Sequence, residues 1–279
     1  MCATCGCGGD DGTDGTSGAV ITGQQSHRHE HQHQHQHQHQ HEHTGPTETV
    51  TLEQRVLAKN DRLAEQNRDR LTARGVLALN ITSSPGAGKT TLLERTIRDL
   101  GKTHPIAVIE GDQETLLDAD RIRAAGACAV QINTGAGCHL DAAMVRRALD
   151  TLDPAPGSLL FIENVGNLVC PALFDLGENH KVVVISVTEG TDKPLKYPHM
   201  FAAADLVILN KIDLLPYVDF DIDTCCGYAQ SVNPGIMILQ TSATRGDGLA
   251  GWYDWLGARL DQGVPQKPRR SIDKTTRLE

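Results

Sequence analysis

The sequence predicts a doubly wound α/β domain with a mostly parallel sheet, preceded by a metal-binding tail expected to be disordered on its own. Three observations predict it. From Val76 onward, short apolar or β-branched runs alternate with helical segments, the pattern of parallel strands covered on both faces. One of those runs leads into Ser83-Ser84-Pro85-Gly86-Ala87-Gly88-Lys89-Thr90-Thr91, a strand-to-helix turn of the phosphate-binding type. The first 45 residues hold almost no large apolar side chains and cannot offset the entropy of ordering. The resulting division is a Cys/His-rich tail over 1-45, an amphipathic helix over 46-75, the α/β domain over 76-264 and a flexible tail over 265-279.

The tail carries two kinds of metal donor. Cys2, Cys5 and Cys7 place three thiolates within one short, glycine-containing stretch, so they can converge on one soft-accepting ion. Three ligands do not close a tetrahedral zinc site, and thiolates alone leave the metal open between zinc and Cu(I). Then His27, His29, His31, His33, His35, His37, His39, His41 and His43 recur at every second position. Such a tract has no apolar face to bury, and its imidazoles can wrap a borderline divalent ion such as nickel, zinc or copper. It reads as a multivalent, exchangeable reservoir that releases ions on acidification, when the imidazoles protonate.

Pro46 and Thr47 open a helix running to Arg74, with Leu52, Val56, Leu63 and Leu71 near helical spacing and Gly75 as its C-cap. Strands are expected over 76-82, 105-110, 128-132, 158-163, 182-187, 205-209 and 236-240. Helices are expected near 91-101, 115-125, 140-152, 220-231 and 248-260. In an open parallel sheet the ligand site lies beyond the carboxyl ends of the strands, and the polar motifs fall there.

The first motif is the loop itself. Its amides and the helix start cradle phosphates, with Gly86, Ala87, Gly88 and Thr91 in the cradle. Lys89 reaches the β- and γ-phosphates, and the Thr90 hydroxyl holds Mg²⁺. Ser83 stands where the strict pattern has glycine, but Pro85, Gly86 and Gly88 still shape the turn. Asn210-Lys211-Ile212-Asp213 follows another strand. The Asp213 carboxylate can accept both donors of a guanine edge, Asn210 can bond the base, and the Lys211 stem can lie over the ring. Ser242 and Ala243 end a further strand, where their amides can meet the base oxygen. Asp112 and Glu163 are the candidate acidic groups near Mg²⁺, and Gly166 supplies an amide for the γ-phosphate. No glutamine or arginine marks itself as an attacking-water positioner, which points to slow intrinsic hydrolysis completed by dimerisation.

Cys138 and His139 follow a strand, and Cys170 lies close after Gly166. Adjacent Cys and His rarely both face one metal from the same chain, but two copies across a twofold axis could supply a four-ligand site. The alternative for each lone cysteine is a small buried hydrophobe. Cys128, Cys225 and Cys226 take that structural reading.

Composition narrows the class. No run of 18 apolar residues exists, and the first residues lack a secretory pattern, so the expected compartment is the cytoplasm with no membrane association. A formal charge of -9 disfavours nucleic acid as a partner. Eight cysteines in a reducing compartment point to metal or structural thiols ahead of disulfides.

These motifs, with Gly111-Asp112-Gln113, Gly137-Cys138-His139-Leu140, Glu163-Asn164-Val165-Gly166-Asn167 and Glu189-Gly190-Thr191-Asp192-Lys193, together resemble the HypB family, the nickel-incorporation GTPases of [NiFe]-hydrogenase maturation. The resemblance runs over nearly the whole chain. It implies a P-loop GTPase that dimerises with GTP and Mg²⁺, and an amino-terminal Ni²⁺ site on Cys2, Cys5 and Cys7. It further implies a second Ni²⁺ or Zn²⁺ site on Cys138, His139 and Cys170, a zinc-binding HypA-type partner, and delivery of nickel to the hydrogenase large subunit. It also implies that Ser83 is ordinary at its position. Two other readings are a urease-type nickel GTPase, which would show Cys-Pro-His in place of Cys138-His139, and a nickel storage protein with an incidental nucleotide domain.

Overall fold

The computed structural model describes residues 46–112, 117–135 and 137–263. The expected tails over 1-45 and 265-279, with Cys2, Cys5, Cys7 and the nine tract histidines, lie outside the described residues, as does Gln113. The elements, in order, are α1 (Pro46–Ala73), β1 (Leu77–Ser83), α2 (Lys89–Leu100), β2 (Ile106–Asp112), α3 (Leu117–Ala125), β3 (Cys128–Asn133), α4 (Ala142–Leu152), β4 (Leu159–Gly166), β5 (His180–Ser186), α5 (Lys193–Lys196), α6 (Pro198–Ala203), β6 (Leu206–Asn210), α7 (Ile222–Val232), β7 (Met237–Gln240) and α8 (Leu249–Asp261). Short 3-10 turns lie at Cys170–Ala172 and Ile212–Tyr217.

All seven strands pair in parallel, in the order β3-β2-β4-β1-β5-β6-β7. The order reverses about β1, so the crevice beyond its carboxyl end is the expected ligand site. The central strands bury both faces, as parallel crossovers require. Leu79, Ile81 and Phe161 pack with Trp252 of α8 on one side, whereas Ala78, Ile109 and Ile162 pack with Leu71 of α1 and Leu149 of α4 on the other.

Two strands run farther than their apolar content alone implies. β2 continues through Asp112 because it keeps its pairing with β3, and β4 continues through Gly166 alongside β1. This puts Asp112, Glu163 and Gly166 on strand ends rather than in mobile turns. The short helices α5 and α6 have no counterpart in the sequence reading, since neither is long enough to show a period.

α1 ends as expected. The Gly75 N–H donates to Thr72 O at 2.9 Å and the Val76 N–H to Leu71 O at 2.9 Å, a Schellman closure on Gly75 with φ 65°. Its buried seam differs from the expected apolar stripe. Leu52 and Val56 are exposed, and the face against the domain is Asn60, Ala64, Asn67 and Leu71. The helix docks through two asparagine amides as well as through hydrocarbon.

Candidate nucleotide and metal site

A cleft of about 580 Å³ opens at the carboxyl ends of β1, β2 and β4, lined among others by Gly88, Lys89, Thr90, Glu110, Glu163 and Cys138. The loop after β1 turns back at Gly88, whose φ of 99° is left-handed, and a Cβ there would sit 2.5 Å from Asn210 Nδ2. α2 then begins at Lys89, so its first amides face the cleft.

The loop lysine is held within the protein. Lys89 Nζ donates to Ser83 Oγ at 2.8 Å, and Ser83 Oγ donates to Ser84 O at 2.5 Å. Serine at this position thus gives the lysine a resting partner that glycine lacks. Lys193 of α5, which is ion-paired with Glu189 at 3.0 Å, donates to Ser84 Oγ at 3.1 Å and so reaches the same loop. Burial lowers the pKa of Lys89, and the charge of Glu163 acts in the opposite direction.

Thr90 Oγ1 donates to Glu163 Oε1 at 2.7 Å, while Glu163 Oε2 is buried without a hydrogen-bond partner. Burial raises the Glu163 pKa, chiefly by removing its solvation. Beside it on the neighbouring strand, in direct register, stands Glu110. Glu110 is 2% exposed with Oε2 also unpartnered, and burial followed by the charge of Glu163 pushes its carboxyl up to about 8. Asp112 lines the same cleft. A hydroxyl, two orphaned carboxylate oxygens and a third carboxylate around one opening form an all-oxygen donor set of the kind that suits Mg²⁺. No sequence motif marks Glu110, which reads as the last residue of an apolar strand. Arg121 also lines the cleft, but it donates to Glu94 and Asp118 and to Thr91 Oγ1, and so braces α3 against α2.

On the far side of the loop, Asn210, Ser242 and Ala243 are bonded within the protein. Asn210 is 1% exposed; its Nδ2 donates to Ala87 O at 3.0 Å and its Oδ1 accepts from Ala243 N at 3.1 Å. Its Oδ1 also accepts from Thr241 Oγ1 at 3.3 Å, so the side chain ties the phosphate loop to the turn after β7 and keeps one amide N–H beyond these bonds. The amide of Ser242 likewise donates to Asp247 O at 2.9 Å. With the Ser242 and Ala243 amides both engaged internally, neither points at a base in this structure. Lys211, at φ 63°, donates through Nζ to Gly86 O at 2.7 Å, which lays its stem along the loop. Asp213 Oδ1 is buried without a partner, as an acceptor awaiting donors would be.

The metal-type residues do what adjacency in sequence argued against. Cys138, His139 and Cys170 bring one ligand atom each within 4.8 Å of the others in a single chain. Cys138 Sγ lies 2.9 Å from Cys170 Sγ and 3.6 Å from His139 Nδ1. His139 stacks on Phe174 at 3.9 Å, and burial lowers its pKa, which favours the neutral imidazole that a metal needs. The turn before α4 bends enough that neighbouring side chains converge, and Cys170 comes over from the 3-10 turn beyond β4. Two sulfurs and one nitrogen suit nickel or zinc and leave a coordination position open.

The two halves of the site are joined by hydrogen bonds. Asn167, next to Gly166, donates to Cys138 O at 3.1 Å, and Asn164 Oδ1 accepts from Leu140 N at 3.2 Å. Among the described residues no helix is long and apolar enough to cross a membrane.

Residues 77–240 match the model of the CobW/HypB/UreG nucleotide-binding domain. The chain is 60% identical over 215 residues to the hydrogenase maturation factor HypB of Azotobacter chroococcum mcd 1, covering 76% of this chain and 70% of that one. It is 62% identical over 201 residues to HypB of Escherichia coli K12, covering 72% and 69%. Two solved structures are similar. HypB of Archaeoglobus fulgidus has a TM-score of 0.69 at 43% identity, over 73% of this chain and 99% of that one. HypB of Helicobacter pylori in complex with nickel has a TM-score of 0.70 at 38% identity, over 75% and 99%.

Proposed function

Because the chain belongs to the HypB family of hydrogenase maturation factors, we propose that it is a GTP-hydrolysing nickel metallochaperone in which the state of the nucleotide sets the grip on the metal. The observation that carries this reading is the shared cleft: Cys138 lines the same opening as Lys89, Thr90 and Glu163.

In this reading GTP enters with its phosphates over Gly86 to Thr91, and Lys89 leaves Ser83 for the β- and γ-phosphates. Thr90, Asp112 and Glu163 hold Mg²⁺, which neutralises phosphate charge. Asp213 accepts the guanine donors, and Asn210 bonds the base edge while it braces Ala87. The amide of Gly166 reads the γ-phosphate, and Asn167 passes its position to the carbonyl of Cys138. Ni²⁺ is the cargo on Cys138, His139 and Cys170, a set that zinc also fits, and the nickel complex of the Helicobacter pylori relative supports nickel as the ion. The amino-terminal Cys2, Cys5 and Cys7, with the histidine tract, acquire and store the ion. A homodimer forms with GTP and metal, a HypA-type chaperone exchanges metal with it, and the hydrogenase large subunit receives nickel. GTP can shift such an equilibrium only by its differential affinity for the two states.

The test is nickel titration of the wild type and Cys138→Ala, each with GDP or a GTP analogue, followed by absorbance and native mass. Tighter or looser binding with the analogue, absent in Cys138→Ala, is the expected result. Equal metal affinity and equal oligomeric mass under both nucleotides would overturn the coupling.

A further inference from the structure

Two asparagines on the buried seam of α1 hold the backbone that follows each half of the thiol-imidazole cluster. Asn60 and Asn67 are 5% and 2% exposed. Asn60 Oδ1 accepts from the Ala142 N–H at 2.9 Å, and its Nδ2 donates to Asp175 O at 2.8 Å. Asn67 Nδ2 donates to Ala142 O at 2.9 Å and to Leu176 O at 3.0 Å. Ala142 opens α4 just beyond His139, and Asp175 and Leu176 lie on the turn that follows Cys170. The same helix therefore grips both segments, which also meet at the cluster and where His139 stacks on Phe174.

Docking alone does not call for these side chains. Ala64 and Leu71 on the same seam already bury hydrocarbon, and an amide in a dry seam is costly unless its groups are bonded. Both amides here are bonded, and each bridges the two ligand-bearing segments. The approach is close enough that a Cβ on Gly177 would lie 2.6 Å from Asn67 Cβ. At the start of α4 two side chains share the capping. Asp141 accepts from the Met144 N–H at 2.7 Å, and Asn60 takes the Ala142 N–H that no intrahelical acceptor can reach.

We propose that Asn60 and Asn67 are positioning residues of the metal site, setting the separation of the Cys138-His139 turn from the Cys170 turn, so that α1 is a structural part of the metal centre. The proposal rests on the reading of Cys138, His139 and Cys170 as metal ligands.

The experiment uses the full chain with Cys2, Cys5 and Cys7 replaced by alanine, so that thiolate-to-nickel absorption does not report the tail. Ni²⁺ is titrated into this parent, into Asn60→Ala, Asn67→Ala and Cys138→Ala versions of it, and into Arg70→Ala. Arg70 bonds Asp150 and Leu149 O farther along α4, away from the ligand segments. Outer-shell partners typically change metal affinity about 10–100-fold, so Asn60→Ala and Asn67→Ala should weaken Ni²⁺ by about tenfold or more and shift the band. Arg70→Ala, which removes a largely exposed ion pair on the same helix, should leave affinity and band in place. Asparagine variants with the parent's affinity and band, or an equal loss in Arg70→Ala, would overturn the proposal. A parent with no band that Cys138→Ala removes would instead remove the metal reading beneath it.

Discussion

Asn167 donates through Nδ2 to the carbonyl oxygen of Cys138 at 3.1 Å, and so joins the end of β4 to the turn that carries two of the three metal donors. Gly166, its neighbour, packs against the phosphate loop so closely that a Cβ would lie 3.0 Å from Pro85 Cα. In the proposed coupling, a phosphate that displaces Gly166 would pull on Cys138 through this bond. Asn167→Ala keeps both sites and removes this link, leaving the Asn164–Leu140 bond in place. A neutral hydrogen bond is worth about 1 kcal/mol, so the ratio of metal affinities between a GTP analogue and GDP should fall toward unity by about fivefold. Isothermal titration with each nucleotide measures it, and an unchanged ratio would mean that coupling runs by another route.

Asp213 has a buried oxygen with no partner and Arg245 no closer than 4.0 Å to the other. Asp213→Asn replaces an acceptor with a donor. Hydrogen bonds to charged groups contribute about 1.5–3 kcal/mol each, so affinity for GDP should fall by about 100-fold or more. Xanthosine diphosphate, which carries a carbonyl where guanine has its amino group, should bind the variant better than GDP does. Competition against a fluorescent nucleotide decides it; a variant that still prefers guanine would show that the base is read elsewhere.

Glu110 makes stability depend on pH in a stated direction. Its folded carboxyl is pushed up to about 8, from an ordinary value of 4.5. Over that interval the folded chain holds a proton that the unfolded chain has lost. The stabilisation is fully present below the unfolded value and is lost as pH rises through about 8. Glu110→Gln keeps the neutral shape and cannot ionise. Its Tm advantage over wild type should grow between about pH 6 and about pH 9 by a few degrees, on the order expected for one buried group in a domain of this size. Parallel Tm profiles for the two proteins would show that Glu110 titrates normally.

Much of the site was legible in the chain. The phosphate loop, the Asn210 to Asp213 motif and the Glu163 to Gly166 segment are contiguous and sit at the ends of apolar runs, so local pattern places them on strand ends of a parallel sheet. Glu110 was not legible, because a carboxylate closing an apolar strand looks like any strand terminus until β4 brings Glu163 alongside in register. Asn60 and Asn67 were hidden for the opposite reason. Asparagine on a helix reads as solvent-facing, and only the backbone it meets makes it an interior residue. The bonds from Asn210 to Ala87 and Ala243 were hidden too, because those partners are remote from it in sequence.

By itself, the amino-acid order determined the class of domain, the phosphate loop and the donor types available for a metal, because those depend on periodicity and on residues adjacent in the chain. Whether Cys138, His139 and Cys170 meet, and whether they meet beside the nucleotide cleft, only the tertiary structure decided. The reason is physical: ligand convergence depends on how β4 is laid beside β1 and how α1 pins the segments beyond each ligand, and those distances are set by packing between parts of the chain that are remote in sequence.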